Sequence, residues 1–444
     1  MAEEKSAAEK LKEALCYAPE HAVKRMSEEE IRQADAYCAD YVRFLDKAKT
    51  EREAVCEAVS RAEKAGFRPF DRTKPLKAGD KIYYNNRGKS LLLAVIGTRP
   101  ITDGVSIAAA HIDSPRLDMK PNPLYEDKGL AYFDTHYYGG IKKYQWTALP
   151  LALHGVIVRR DGTSVTVCIG EDEGDPVFCV TDLLPHLGTE QMKRPATEVV
   201  KGEDLNILIG SRPFRDDKGS ELVKLNILNL LHEKYGIVEA DFLSAELEAV
   251  PALKARDVCF DRSMIGAYGH DDRVCAYPAL TAILAAEHPA YTAVTILADK
   301  EEIGSEGNTG MQAAYLRYFI ADLAAAFGAE GRHVQQNTVC LSADVNVALD
   351  PIYPEVVEVR NCAQLNLGVC LTKYTGSRGK SGTSDASAEL MGRVRRLMDE
   401  NNVVWQIGEL GKVDAGGGGT VAMYIANLDV DTVDMGVPVL SMHA

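Results

Sequence analysis

The chain contains no Cys-x-x-Cys. Its 444 residues include ten cysteines, widely spaced as Cys16, Cys38, Cys56, Cys168, Cys179, Cys259, Cys275, Cys340, Cys362 and Cys370. A thiolate zinc cluster is therefore not expected, and a reduced, cytoplasmic chain is. Basic excess is absent too. Lys and Arg total 50 against 65 Asp and Glu, a formal net charge of -15. That argues against a nucleic-acid or anionic-membrane partner, since both need a basic face. No apolar run approaches the roughly 20 residues of a membrane helix. The opening "MAEEKSAAEKLKEAL" is charged throughout and lacks the apolar segment of a signal peptide. Tandem repeats and low-complexity linkers are missing as well.

What is present fits a globular protein of two or three domains at roughly 150 residues each. Residues 1–66 read as helical. Ser27 and Glu30 form a capping box ahead of Ile31, Cys38, Tyr41 and Leu45, and Gly66 closes the region. Short apolar runs follow, "KIYYNN", "SLLLAVIG" and "GVSIAAAHID", each bounded as strands of a buried sheet are. After residue 116 the texture changes. "LALHGVIVRRDGTSVTVCIG" alternates around Asp161-Gly162 and reads as a hairpin. From about residue 250 strands alternate with helices again: "TAVTILADKEEIGS", then a helix in "MQAAYLRYFIADLAAAFG", the strand "TVCLSAD", and an amphipathic helix in "SDASAELMGRVRRLMDENN". The expected architecture is α/β. A mainly parallel sheet flanked by helices is built from 1–116 plus 250–444, and a β-rich domain, 117–249, is inserted into it. "GGGG" at 416–419 is too short for a linker and implies close backbone approach.

Ligands of open α/β sheets bind beyond the carboxyl ends of the strands. Here apolar runs end in His111 and Asp113, in Asp299, Glu301 and Glu302, in Asp344, and in His443; "GHDDR" adds Asp271 and Asp272 at a helix start. Singly these are ordinary features: a structural His-x-Asp, a solvated acidic pair, a helix cap, a frayed tail. His136, His154, His270, His288 and His333 are read as structural. Together, two histidines and several carboxylates without cysteine suit Zn, Mn or Co. One carboxylate beyond the needs of a single site suggests two ions sharing an Asp. His111 would then bind through one nitrogen while Asp113 fixes the other. One of Glu301 and Glu302 would ligate, leaving the other as a general base.

The stretches "AAHIDSPRL", "YYGG", "GHDDR", "DKEEIGS", "LSAD", "DAGGGGT" and "LDVDTVDMGVPVLSMHA" resemble, in order, those of the M18 metallopeptidases, the aspartyl aminopeptidase family. The resemblance implies a zinc-peptidase-type catalytic domain and an aminopeptidase acting on peptides in the cytoplasm. It implies that His111, Glu302, Asp344 and His443, with bridging Asp271, hold two metal ions; that Asp113 orients His111; and that Glu301 is the base. It further implies a tetrahedral dodecamer. There the inserted domain makes dimer contacts, and His186 of "DLLPHLG" reaches a neighbour's site. The family pattern also continues past Ala444 with a further helix. Two stretches depart from it: "IKKYQWTALPL" after "YYGG", and "VNVALDPIY", which puts Val347 and Asp350 where histidines are usual. Lys380 is the nearest cationic contact for an acidic substrate side chain, with Arg378 second. Two other readings remain. A carboxypeptidase or deacylase of the same design would need a carboxylate-binding Arg. A non-catalytic oligomeric shell stapled by metal would have no use for a free base at Glu301.

Overall fold

In a computed structural model, residues 5–216 and 218–444 are described. The first four residues of the expected helical N-terminus, and Asp217 of the expected insertion, lie outside them. The N-terminal helices are Ala7–Leu15, Ala22–Arg25, Glu28–Lys47 and Glu51–Lys64. Ser27 caps the third, its hydroxyl accepting from Glu30 N while the Glu30 carboxylate accepts from Ser27 N.

A nine-stranded mixed sheet forms the larger unit. Its strand order is Arg68–Pro69, Lys81–Asn86, Ser90–Val95, Thr292–Ala298, Val105–His111, Val339–Ser342, Asp431–Gly436, Val369–Thr372 and Trp405–Ile407. The four central strands, from Thr292–Ala298 to Asp431–Gly436, run parallel in register, with Ala298 beside His111 and Ser342 beside Asp434. Antiparallel neighbours flank them, at Ser90–Val95 on one side and Val369–Thr372 on the other. Successive side chains of "SLLLAV" point to opposite faces, and both faces are covered. Leu91, Leu93 and Val95 pack with Phe44, Val55 and Leu280 of the helices below. Leu92 and Ala94 pack with Leu316, Phe319 and Leu323 above. That two-sided burial is why these strands read as continuous apolar runs.

Residues 116–251 supply a second sheet of seven strands, all antiparallel. It includes Arg116–Asp127, Leu130–Tyr138, the hairpin Leu151–Val158 with Ser164–Ile169, and Ala245–Pro251. It has its own core around Leu117, Phe133, Trp146, Leu153 and Phe242.

Two local expectations need correction. The helix expected from Met311 starts at Tyr315, because 311–314 form turns. His443 does not end a strand of the main sheet. It lies in a turn after Pro438–Val439, a two-residue strand paired with Asn346–Val347. Asp271 and Asp272 stand in the first turn of the helix His270–Ala285, as expected; Gly269 occupies the capping position, the two carboxylate residues have non-helical backbone, and their mutual peptide bond is cis.

Candidate active site

The parallel strands deliver their carboxyl ends to one place, and local contacts fix each donor there. After His111 the chain turns through Ile112 and Asp113. Buried Arg273 donates to Ile112 O at 2.9 Å and to Lys49 O at 3.1 Å. Ser114 Oγ donates to Asp271 O at 2.5 Å, and Tyr268 donates to Pro115 O at 3.0 Å. His111 N donates to Asp272 Oδ2 at 3.2 Å. These bonds lace the "HIDSP" turn to the "YGHDDR" turn. On the next strands, Asp344 follows Val339–Ser342. A Cβ on Gly436 would lie 1.7 Å from Asp344 O, so only glycine allows that approach.

Asp271 stands in the middle. Its Oδ1 is 3.1 Å from His111 Nε2 and its Oδ2 is 3.2 Å from His443 Nε2. Around His111 Nε2 lie Glu301 at 3.8 Å and Asp344 at 3.9 Å; beside His443 Nε2 lies Glu302 at 3.8 Å. The donor atoms of His111, Glu301 and Asp344 fall within one ion's reach of each other, as do those of His111, Asp271 and Glu302. Each imidazole is also held at its other nitrogen. His111 Nδ1 faces Asp113, 3.1 Å from its carbonyl and 3.2 Å from Oδ1, and His443 Nδ1 is 2.5 Å from Gly140 O.

The charge is lopsided. Burial, and then nearby carboxylates, push Glu301 up to about 7 and Glu302 up to about 8, and hold Asp344 well above the carboxylate range. Burial alone would raise Asp113 as well; hydrogen bonds from His111 and Tyr138 outweigh it and keep Asp113 low. Among the described residues, Glu302 Oε1 and Asp272 Oδ1 are buried without a hydrogen-bond partner. A pocket of crowded carboxylates with orphaned oxygens and two oriented imidazoles is the donor set of a cation site.

A family model described as aminopeptidase I zinc metalloprotease (M18) matches residues 44–444. The chain belongs to the M18 family. It is 51% identical to a probable M18 family aminopeptidase 1 of Clostridium acetobutylicum, over 95% of this chain and 92% of that one. A second relative with the same description, from Thermotoga maritima, is 45% identical over 93% and 91%. The crystal structure of aminopeptidase I from Clostridium acetobutylicum superposes with a TM-score of 0.91 at 50% identity, over 97% of this chain and 95% of that chain. The S. cerevisiae mApe1 dodecamer, at 20% identity and a TM-score of 0.73, shares the fold. The protein is a metallo-aminopeptidase of this family.

The remaining M18 expectations sit elsewhere. His186 is exposed on the loop before a short helix and has no hydrogen bond or ion pair among the described residues. Lys380 forms an ion pair with Asp385 at 2.9 Å and lies 3.9 Å from the Tyr374 ring centre, with Arg378 in the same loop. None of these contacts reaches the ligand cluster. Asp299, at a strand end like the others, turns away, with Thr309 Oγ1 donating to it at 2.6 Å. Sequence reasoning missed Tyr138, which donates to Asp113 Oδ2 at 2.8 Å, and Gly140. The signal was in "YYGG", which was read only as a family mark. "GHDDR" offered Asp272 only as a carboxylate at a helix start; its bond from His111 N depends on the turn at Asp271.

Proposed function

We propose that the protein removes N-terminal residues from peptides with a dinuclear metal centre, in which His111 and Asp344 serve one ion, His443 and Glu302 the other, and Asp271 both. The observation that carries this reading is the position of Asp271, with one carboxylate oxygen toward each imidazole at 3.1 and 3.2 Å. The donors fit: imidazole and carboxylate without thiolate suit Zn, with Co or Mn as alternatives, and the orphaned carboxylate oxygens await a cation. When bound, two such ions supply the positive charge that polarises the scissile carbonyl and acidifies a water.

The chain's own groups do the rest. Asp113 holds the His111 ring in one orientation. Glu301 takes a proton from the attacking water and passes it to the departing amine nitrogen. The products are a free amino acid and a peptide one residue shorter. Glu301 lies 3.8 Å from His111 Nε2, at the edge of the donor cluster, where a carboxyl can reach a water held there and serve both transfers. For an acidic N-terminal residue, Lys380 is the contact, exchanging its bond with Asp385 for the substrate carboxylate.

The reading extends to a cytoplasmic homo-oligomer, a tetrahedral dodecamer, in which His186 serves a neighbouring subunit. Exposed Leu183, Leu184, Leu187 and Met192 around His186 support it, as does the dodecamer of mApe1, which shares the fold. Zinc- or cobalt-loaded protein should release the first residue of aminoacyl chromogenic substrates. Glu301→Gln should keep its metal and lose on the order of 10²–10⁴ in rate. Near-normal turnover in that variant, or cleavage only from the carboxyl end of peptides, would overturn the assignment.

A further inference from the structure

The strand Leu130–Tyr138 belongs to the second sheet, yet the hydroxyl of its last residue reaches the ligand cluster of the first. Tyr138, 8% exposed, donates to Asp113 Oδ2 at 2.8 Å. Asp113 has three other duties. It faces His111 Nδ1 and accepts the backbone N–H of Glu301 at 3.1 Å and of Glu302 at 3.2 Å. This one carboxylate therefore orients a ligand histidine and also caps the turn carrying the base and another ligand. A carboxylate's own torsion is broad, so its rotation must be fixed by what it bonds. The phenol is its shortest bond. The phenol is itself clamped: the Arg116 guanidinium lies 3.9 Å from the ring centre, held by Asp118 at 2.8 Å and by Glu51 and Glu248 at 3.3 Å each.

We propose that Tyr138 is a positioning residue for the reaction: its hydroxyl sets the rotation of Asp113, and through it the direction of His111 and of the Glu301–Glu302 turn. The inference rests on the aminopeptidase reading and adds a residue to it. A second sheet with a core of its own thus completes the centre built on the first.

The test compares zinc-loaded, full-length Tyr138→Phe with wild type and with Tyr137→Phe. Tyr137 is the neighbouring residue, 40% exposed, and has no bond to the cluster. Removing one buried oxygen leaves the ring under Arg116. kcat should fall about 10- to 100-fold, the usual range for such outer contacts, with zinc lost to a chelator about 10-fold more readily. KM should stay within about 2-fold, because the contact serves the transition state rather than binding. The visible spectrum of cobalt-loaded Tyr138→Phe should shift, and Tyr137→Phe should match wild type throughout. If Tyr138→Phe is insoluble, Arg116→Lys, which keeps the phenol but removes the flat cation, should give a smaller change of the same kind. Lowered thermal stability with unchanged kcat, zinc retention and cobalt spectrum would overturn the proposal, leaving Tyr138 a packing residue. Wild type inactive on every aminoacyl substrate would instead overturn the aminopeptidase reading, while the zinc and cobalt comparisons still decide Tyr138.

Discussion

Stripping the metal should make this protein's stability fall as pH rises. Burial, followed by nearby carboxylates, pushes Glu301 up to about 7 and Glu302 up to about 8, from an ordinary 4.5. In the metal-free protein, the folded state then binds more protons than the unfolded chain between pH 4.5 and about 8, so stability drops through that window. At about 1.4 kcal/mol per pH unit, Glu302 alone removes up to roughly 4 kcal/mol by pH 8. Thermal unfolding of chelator-treated protein from pH 5 to 8.5 should show Tm falling by several degrees. Zinc at about a thousand times its Kd returns about 4 kcal/mol and should flatten the curve. The control is Glu302→Gln, which keeps the shape and cannot ionise. Metal-free, it should lose much of the slope and unfold later than wild type at pH 8, but not at pH 5. A metal-free Tm that is level or rises with pH would refute the reasoning. So would a slope that Glu302→Gln leaves untouched, since Glu302 alone is assigned roughly 4 kcal/mol of it.

Metal analysis should find close to two ions per chain, with both sites weakened in Asp271→Ala; a single ion unaffected by that substitution would remove the shared carboxylate. Light scattering should report a large closed assembly, broken down by Leu187→Asp with Met192→Asp; a wild-type monomer at assay concentration would end both the cage and the role of His186. Lys380→Met should lower kcat/KM for Asp and Glu substrates about 10- to 100-fold, the worth of a charge-assisted contact, while sparing Leu. A wild-type preference for Leu over Asp would show that Lys380 does not select the substrate.

The strand-end pattern located His111, Glu301, Glu302 and Asp344 because parallel strands must present their carboxyl ends together, and burial on both faces makes such strands conspicuous as apolar runs. Ser27 with Glu30, and Asp161-Gly162 between alternating runs, announced a helix start and a hairpin, since each is a local hydrogen-bonding arrangement. "GGGG" was legible too: a Cβ on Gly417 would lie 2.0 Å from Gly376 O. What stayed hidden depends on distant segments meeting. Tyr138 and Gly140 touch the cluster only because the second sheet docks against the first. Asp272 reads as a capping residue until the backbone at Asp271 leaves the helical region and turns its carboxylate to His111 N. His154 looks like an unremarkable strand histidine. It spans Glu53 at 2.7 Å and Glu171 at 3.2 Å, and no local pattern announces that.

The short reach from Tyr138 to Gly140 has a consequence for anyone recombining this enzyme with its relatives. A chimaera cut where the second sheet begins, at residue 116, would import a foreign tyrosine and a foreign carbonyl against Asp113 and His443. Placing the first crossover beyond residue 140 and the second before Ala245 would keep these contacts native, together with the Glu248 that holds Arg116 against Tyr138, so that the exchanged module leaves the chemistry untouched.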